Sequence, residues 1–179
     1  MRIFLFSVLI GLGAFPGRAQ TKLSETILLY EDTLQFKTME SILALPALKD
    51  KVVFLDLWGT RCGPCIAEFP GLPALKEKYK DQPVVFVYLK SPYGFDDSKE
   101  WKAMVEKNKI EGIHIALSIE FYMDAFWERY KKKYPERRMY TIPTYLIADK
   151  KGTIVNFFAP RPSDKEKLYR QLDKWITRK

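Results

Sequence analysis

Apolar residues follow two patterns along this 179-residue chain: short uninterrupted runs, and longer stretches with one apolar residue every three or four positions. The runs are typical of buried strands, and the periodic stretches of helices that bury one side. The runs predict strands over 25–30, 51–58, 84–89, 113–117, 142–148 and 153–158. The periodic stretches predict helices over 39–49, 63–79, 99–109 and 121–132, and a last helix that starts near Ser163. Alternating strands and helices indicate an α/β sandwich around a mixed sheet.

Three local signals refine this order. Pro70 and Pro73 lie within the second periodic stretch. Because the periodicity continues past them, they are predicted to kink that helix rather than end it. Residues 149–152, Asp-Lys-Lys-Gly, have the composition of a tight turn, so the last two strands should form an antiparallel pair. Ser163, with Glu166 three residues later, matches a capping box and predicts the start of the last helix.

The first twenty residues differ from the rest. A basic residue precedes an apolar run over 3–15, and the small residues within 17–19 offer a cleavage site. This is the pattern of a secretory signal peptide, which divides the chain into a signal at 1–19 and one domain at 20–179. An uncleaved anchor is the alternative, although the run is shorter than the roughly 18 apolar residues of a spanning helix. After cleavage, we expect no stable membrane insertion.

The net charge of +8 bears on possible partners. Nucleic-acid binding favours basic residues concentrated in a stripe among exposed aromatics, whereas here lysines and arginines are spread along the chain. We therefore expect no nucleic-acid partner. The one dense basic run, at 131–133 and 137–138, is interpreted as the solvated end of a helix, with a docking surface for acidic partners as the alternative.

Both cysteines of the chain lie in one motif, Cys62-Gly63-Pro64-Cys65. A disulfide that encloses two residues contributes little to folding, because the stabilisation grows with the loop it closes. A structural zinc site needs about four ligands, and with His114 as the single histidine it would have to recruit carboxylates. No metal is therefore predicted, and His114 is interpreted as a polar strand residue. Reversible redox chemistry is the interpretation that remains.

The motif lies where a predicted strand gives way to a predicted helix. Cys62 stands at the helix start, where unpaired N–H groups and the helix dipole stabilise a thiolate. Pro64 suits the first turn because it lacks an N–H, and Gly63 leaves room for a partner chain. Cys65, one turn further in, should be more shielded. We therefore predict that Cys62 attacks and that Cys65 resolves the mixed disulfide.

The residues around the motif resemble a known family. Trp58-Gly59-Thr60-Arg61-Cys62-Gly63-Pro64-Cys65, with Asp56 before it and Pro70 after it, resembles the thioredoxin superfamily, as does the downstream Thr141-Ile142-Pro143-Thr144. More narrowly, the chain is similar to the exported TlpA/ResA-like thiol-disulfide oxidoreductases. That branch is indicated by the signal peptide, by Glu68, and by an extra helix-strand unit. The resemblance implies a thioredoxin-like fold, a central mixed sheet flanked by helices, with this helix-strand insertion before the cis-proline strand.

The resemblance also implies roles for single residues. The peptide between Ile142 and Pro143 should be cis, should border the cysteines and should bind substrate through its backbone. Asp56 matches a buried carboxylate near the second cysteine, and Glu68 matches a buried glutamate of the narrower branch. Both are expected to exchange protons with Cys65. A structural aspartate and a solvated helix glutamate are the alternatives.

One position departs from the family pattern. Arg61 replaces the aromatic residue, commonly tryptophan, that usually precedes the first cysteine. A flat apolar docking surface is therefore in doubt, while a cation beside Cys62 favours its thiolate. Arg61 is expected to bind substrate together with Trp58, Gly63 and Pro64.

The expected function is reduction of disulfides in exported proteins, including apocytochromes, in the periplasm or elsewhere outside the cytoplasm. The redox-active disulfide would need no cofactor, and electrons would come from a membrane thiol donor. An oxidase would run the same chemistry in the opposite direction. A thiol peroxidase is a competing function, although Thr60 lies two residues before Cys62 rather than the three of that signature. A non-catalytic binding module or chaperone and a copper carrier are further alternatives.

Overall fold

The computed structural model of the protein describes residues 20–31, 34–92, 97–123, 134–135 and 142–178. Its strands are β1 (Thr21–Ser24), β2 (Ile27–Tyr30), β3 (Val52–Trp58), β4 (Val84–Lys90), β5 (Gly112–Ala116), β6 (Thr144–Ala148) and β7 (Ile154–Asn156). Its α-helices are α1 (Met39–Leu43), α2 (Gly63–Ile66), α3 (Leu72–Tyr79), α4 (Ser98–Lys107), α5 (Ile119–Met123) and α6 (Glu166–Thr177). Short 3-10 turns cover Pro46–Leu48, Phe69–Gly71 and Pro162–Asp164.

The strands form one mixed sheet in the order β1-β2-β5-β4-β3-β6-β7. The pairs β2 with β5, β5 with β4, and β4 with β3 are parallel. The pairs β1 with β2, β3 with β6, and β6 with β7 are antiparallel. The predicted mixed sheet, the antiparallel last pair and the extra helix-strand unit, α4 with β5, are confirmed. Strand β1 was not predicted.

Strand β3 is buried along its whole length, as its continuous apolar run predicts. Because successive side chains point to opposite faces, Phe54, Asp56 and Trp58 share one face of the sheet and Leu55 and Leu57 the other. Helices α2, α3, α4 and α6 cover the first face, and α1 and α5 pack on the second. The cysteines follow β3 directly and lie on the first face.

Two predicted helices are interrupted by proline. The single helix expected over 63–79 is divided into α2, a 3-10 turn and α3. Pro70 and Pro73 each occupy the first or second position of a new segment, because a proline has no N–H to donate to the preceding turn. The expectation of a mere kink is therefore wrong. Likewise α1 ends at Leu43, and Pro46 begins a separate turn within the predicted 39–49 helix.

The predicted capping box of Ser163 and Glu166 is also wrong. Ser163 lies within a 3-10 turn, and Lys165, at a φ of 39°, is the residue before α6. The hydroxyl of Ser163 donates to Glu68 instead of accepting a hydrogen bond from an N–H of the helix start. A partner distant along the chain has thus replaced the local one.

One strand starts later than predicted, and several other predictions concern residues outside those that the structure describes. Strand β6 begins at Thr144 rather than at 142, because Pro143 has no N–H for the ladder. The signal peptide, the basic run, Thr141 and most of the predicted helix over 121–132 lie outside the described residues. No helix within the described ranges is long and apolar enough to cross a membrane.

Candidate active site

The two cysteines flank the first turn of α2. Cys62 is the N-cap residue, and its Sγ accepts a hydrogen bond from the N–H of Cys65 at 3.2 Å. The two sulfurs are joined in a disulfide with 5.2 Å between the Cα atoms. Cys62 keeps 9% of its surface exposed and Cys65 keeps 2%. An incoming group therefore reaches the first sulfur before the second.

The surface beside Cys62 is open. Arg61, Gly63 and Pro64 are exposed, and a methyl group placed on Gly63 would meet no atom within 4 Å. Ile66, on the next turn, is 37% exposed. A partner chain can approach here. Trp58 is not part of this surface: it is 1% exposed and packs edge-on against Phe69 at 5.3 Å, so the expectation of substrate contact is corrected.

The Ile142–Pro143 peptide is cis, as the family resemblance implied. Both residues are partly exposed, and the Ile142 side chain packs against the hydrophobic residues buried on both faces of the sheet. A Cβ on Gly59 would lie 3.1 Å from Ile142 Cδ1. The proline segment thus rests against the backbone that leads into Cys62, which favours a residue without a side chain at position 59.

Asp56 lies in the centre of β3, on the sheet face that also carries the cysteines, and is 3% exposed. Burial, assisted by the negative charge of Glu68, raises the pKa of Asp56 to about 8. The carboxyl group therefore holds a proton at neutral pH. Its Oδ1 atom has no hydrogen-bond partner among the described residues.

Glu68 follows α2 and is 6% exposed, so it is not a solvated helix residue. Its carboxylate accepts hydrogen bonds from the N–H and the hydroxyl of Ser163, both at 2.9 Å. Nη1 of Arg161 lies 3.9 Å from the same carboxylate. These contacts fix the negative charge of Glu68 near Asp56 and tie α2 to the turn before α6.

A second polar cluster supports the segment before Cys62, and no sequence pattern indicated it. The hydroxyl of Thr60 donates to Asp97 at 2.5 Å, and Nζ of Lys90 lies 2.5 Å from the other carboxylate oxygen. The Lys90 and Asp97 side chains are 11% and 5% exposed. Burial alone would raise the pKa of Asp97, but the hydrogen bonds from Lys90 and Thr60 outweigh it and the pKa is lowered.

The raised pKa of Asp56 gives an expected dependence of stability on pH. Between the ordinary value of 3.8 and about 8, native Asp56 holds a proton that the unfolded chain has released. The free energy of unfolding should therefore fall as the pH rises through this window and level off above it. Asp56→Asn should remove this fall and be more stable than wild type above pH 8, by on the order of a few kcal/mol.

Urea denaturation at a series of pH values checks this expectation, with the exposed Asp81→Asn as the matched control. A difference between Asp56→Asn and wild type that stays constant from pH 4 to pH 9 would contradict it.

A disulfide-bonded cysteine pair at the start of a helix, directly after the central strand of a mixed sheet, and a cis-proline before β6 place the chain in the thioredoxin fold class. The chain belongs to the Redoxin family, whose model matches residues 31–172. Within the described residues, no three His, Cys, Asp or Glu side chains come together as a metal site would require.

Known proteins of the thiol-disulfide oxidoreductase type are similar to this chain. ResA, a thiol-disulfide oxidoreductase of Bacillus thuringiensis, is 47% identical over 45 residues, which are 25% of this chain and 26% of that protein. The alignment thus spans about a quarter of this curated relative.

Two solved structures cover more of the chain. Both are of Bacteroides vulgatus proteins assigned as thiol-disulfide oxidoreductases. The crystal structure is 32% identical, with a TM-score of 0.54, over 74% of this chain and 83% of its own. The solution structure is 30% identical, with a TM-score of 0.52, over 72% of this chain and 73% of its own. The predicted placement in the thioredoxin superfamily, close to the TlpA/ResA-like proteins, is confirmed.

Proposed function

We propose that the protein is a thiol-disulfide oxidoreductase that reduces disulfides of exported proteins. The observation that carries this proposal is the position of the Cys62–Cys65 pair, with one sulfur at the accessible N-cap and the other shielded behind it. The relatives' assignments support the same activity. The basis for export is the apolar N-terminal segment of the sequence.

The reaction starts from the reduced pair. The Cys62 thiolate attacks one sulfur of the substrate disulfide, forms a mixed disulfide and releases the other substrate sulfur as a thiolate. The Cys65 thiol then loses its proton and attacks the Cys62 sulfur. The mixed disulfide breaks, the second substrate sulfur leaves, and the Cys62–Cys65 disulfide forms, so that two electrons pass to the substrate. No further cofactor takes part in these steps.

Asp56 is the proton partner that we assign to Cys65. The raised pKa of Asp56, about 8, lies close to neutral pH, so its carboxyl group can exchange a proton with Cys65, directly or through one water. Glu68, whose carboxylate accepts two hydrogen bonds from Ser163, helps to raise this pKa by its negative charge.

Substrate binding is assigned to the open surface beside Cys62. Gly63 and Pro64 allow close approach, and the backbone next to Pro143 offers hydrogen bonds to an extended substrate segment. Ile142 supports this backbone, and the exposed Arg61 favours the Cys62 thiolate by its charge. A thiol peroxidase is disfavoured, because the Thr60 hydroxyl is engaged by Asp97.

The reduction potential of the Cys62–Cys65 pair tests the direction of transfer. A value near that of thioredoxin, about −270 mV, is expected, and a value near about −120 mV would instead identify an oxidase. Equilibration with glutathione or dithiothreitol buffers, followed by quantification of both redox forms, gives this potential.

A reductase outside the cytoplasm needs an electron donor, for which we propose a membrane thiol protein. Oxidation of the reduced pair with hydrogen peroxide as the sole oxidant tests the peroxidase alternative.

A further inference from the structure

A row of polar side chains crosses the sheet beneath the active site. Asp56 of β3 stands opposite Tyr145 of β6 on one side and opposite Tyr88 of β4 on the other. Tyr88 in turn stands opposite His114 of β5. Residues opposite each other on adjacent strands point to the same face, which here is the face of the cysteines. All four side chains are at most 3% exposed.

Each side chain of this row has one buried polar atom without a hydrogen-bond partner among the described residues. Within the described residues, Asp56 Oδ1 and the hydroxyls of Tyr88 and Tyr145 have no hydrogen bond. His114 Nε2 lies 2.7 Å from the Ile110 carbonyl oxygen, which can only accept, so Nε2 carries the proton and Nδ1 is an unpaired acceptor. Buried polar groups in native proteins are almost always paired with protein or with ordered water. Unpaired atoms on neighbouring side chains of one row therefore point to a hydrated site.

Both phenols of the row interact electrostatically with Asp56. The pKa of each tyrosine is raised by burial first and then by the charge of Asp56. Glu68 acts on both Asp56 and Tyr145, and Arg161 acts on Tyr145.

The other end of the row carries a different set of groups. Nζ of Lys76 lies 5.3 Å from the centre of the Tyr88 ring, and Glu111 also acts on Tyr88. Burial lowers the pKa of Lys76 to about 8. It also lowers the pKa of His114, which stacks on Tyr88 at 4.7 Å, to about 3. His114 is thus neutral, and the row offers Asp56 donors and acceptors rather than a second permanent charge.

We propose that Tyr88 and Tyr145 are positioning residues for the proton step, holding internal water at Asp56 and stabilising its carboxylate, which accepts the proton that Cys65 loses. This rests on the proposed function, in which Asp56 exchanges a proton with Cys65. A phenol donates its hydrogen to a carboxylate, directly or through water, and a donor to the ionised form favours that form. Without the phenols, ionising Asp56 would cost more.

Tyr88→Phe and Tyr145→Phe in the full chain test this proposal. The pKa of Asp56 is read by carboxyl carbon NMR on the oxidised protein, in which neither cysteine titrates, with Asp56→Asn to assign the signal. Each substitution should raise the pKa of Asp56 by roughly 1 unit. When the reduced protein reacts with a substrate disulfide at pH 7, formation of the mixed disulfide by Cys62 should be unchanged. Breakdown of the mixed disulfide should slow roughly tenfold for each unit by which the pKa of Asp56 rises.

Tyr79→Phe is the matched control. The Tyr79 hydroxyl donates to Asp173 at 2.9 Å, away from the row, so its loss should lower stability without moving the pKa of Asp56. If the tyrosines only fill volume, both row variants will fold with an unchanged Asp56 pKa, and the proposal is wrong.

A second measurement uses the wild-type protein and does not depend on the variants folding. Magnetisation transfer from water should reach protons beside Asp56, Tyr88 and Tyr145, and a dry site would also overturn the proposal. Failure of the proposed function is distinguishable, because inactivity of wild type towards disulfides would leave the Asp56 pKa shifts intact.

Discussion

Replacing Cys62 with serine is expected to abolish disulfide exchange, whereas replacing Cys65 should leave the first attack intact and trap the product. Cys62 caps α2, where the Cys65 N–H points at its sulfur and favours the thiolate. Serine at position 62 removes the attacking sulfur, so the rate should fall to that of buffer alone. Serine at position 65 removes only the second attack, so mixed disulfides with substrate should accumulate.

Turnover of a model protein disulfide, such as insulin, measures the first effect, and non-reducing electrophoresis followed by mass spectrometry measures the second. Alkylation of the reduced wild type at limiting reagent gives an independent check. Because Cys62 is the more exposed of the two, it should be labelled first. Faster labelling of Cys65 would contradict the assignment of roles.

The second large effect is expected from the ion pair of Lys90 and Asp97. Lys90→Met should destabilise the protein by about 3–5 kcal/mol, because it leaves the buried Asp97 carboxylate without its cation. The double variant Lys90→Met with Asp97→Leu should recover most of this loss, since no uncompensated charge is left.

Urea denaturation measures the single and double variants in one cycle. Lys80→Met is the control: Lys80 pairs with Glu77 at the surface, with side chains 58% and 71% exposed, and such pairs contribute about 0–1 kcal/mol. A loss in Lys90→Met no greater than in this control would contradict the prediction.

The two aspartates respond to pH in opposite directions. The pKa of Asp97 is lowered, so its contribution to stability is present above the ordinary value of 3.8 and is lost as the pH falls below it. The pKa of Asp56 is raised, so its cost to stability grows as the pH rises from 3.8 to about 8 and is constant above that. Lys90→Met should therefore weaken the loss of stability on acidification below 3.8, and Asp56→Asn should remove the fall in stability between 3.8 and about 8.

The central elements could be predicted because their signals are local. The uninterrupted apolar run of β3 and the strand-to-helix change at Cys62 are visible within a few positions. The cis peptide before Pro143 came from the family resemblance alone. Trp58 was misplaced because the motif suggested a surface residue, while strand alternation turns its ring towards the core.

What the sequence did not reveal depends on distant partners. Ser163 has a local pattern that predicts a helix cap, but its actual partner, Glu68, lies 95 positions away. Thr60 and Asp97 are separated by 37 positions and carry no shared motif. In each case a tertiary hydrogen bond decides the conformation, and no periodicity or spacing rule contains that information.

The hydrogen bonds from Ser163 to Glu68 also bear on the order in which the protein is made. Ribosomes synthesise the cysteines before the segment that carries Ser163, 95 residues after Glu68. During that interval the Glu68 carboxylate lacks its two donors. The surroundings of the cysteines are therefore complete only when the last segment of the chain has docked.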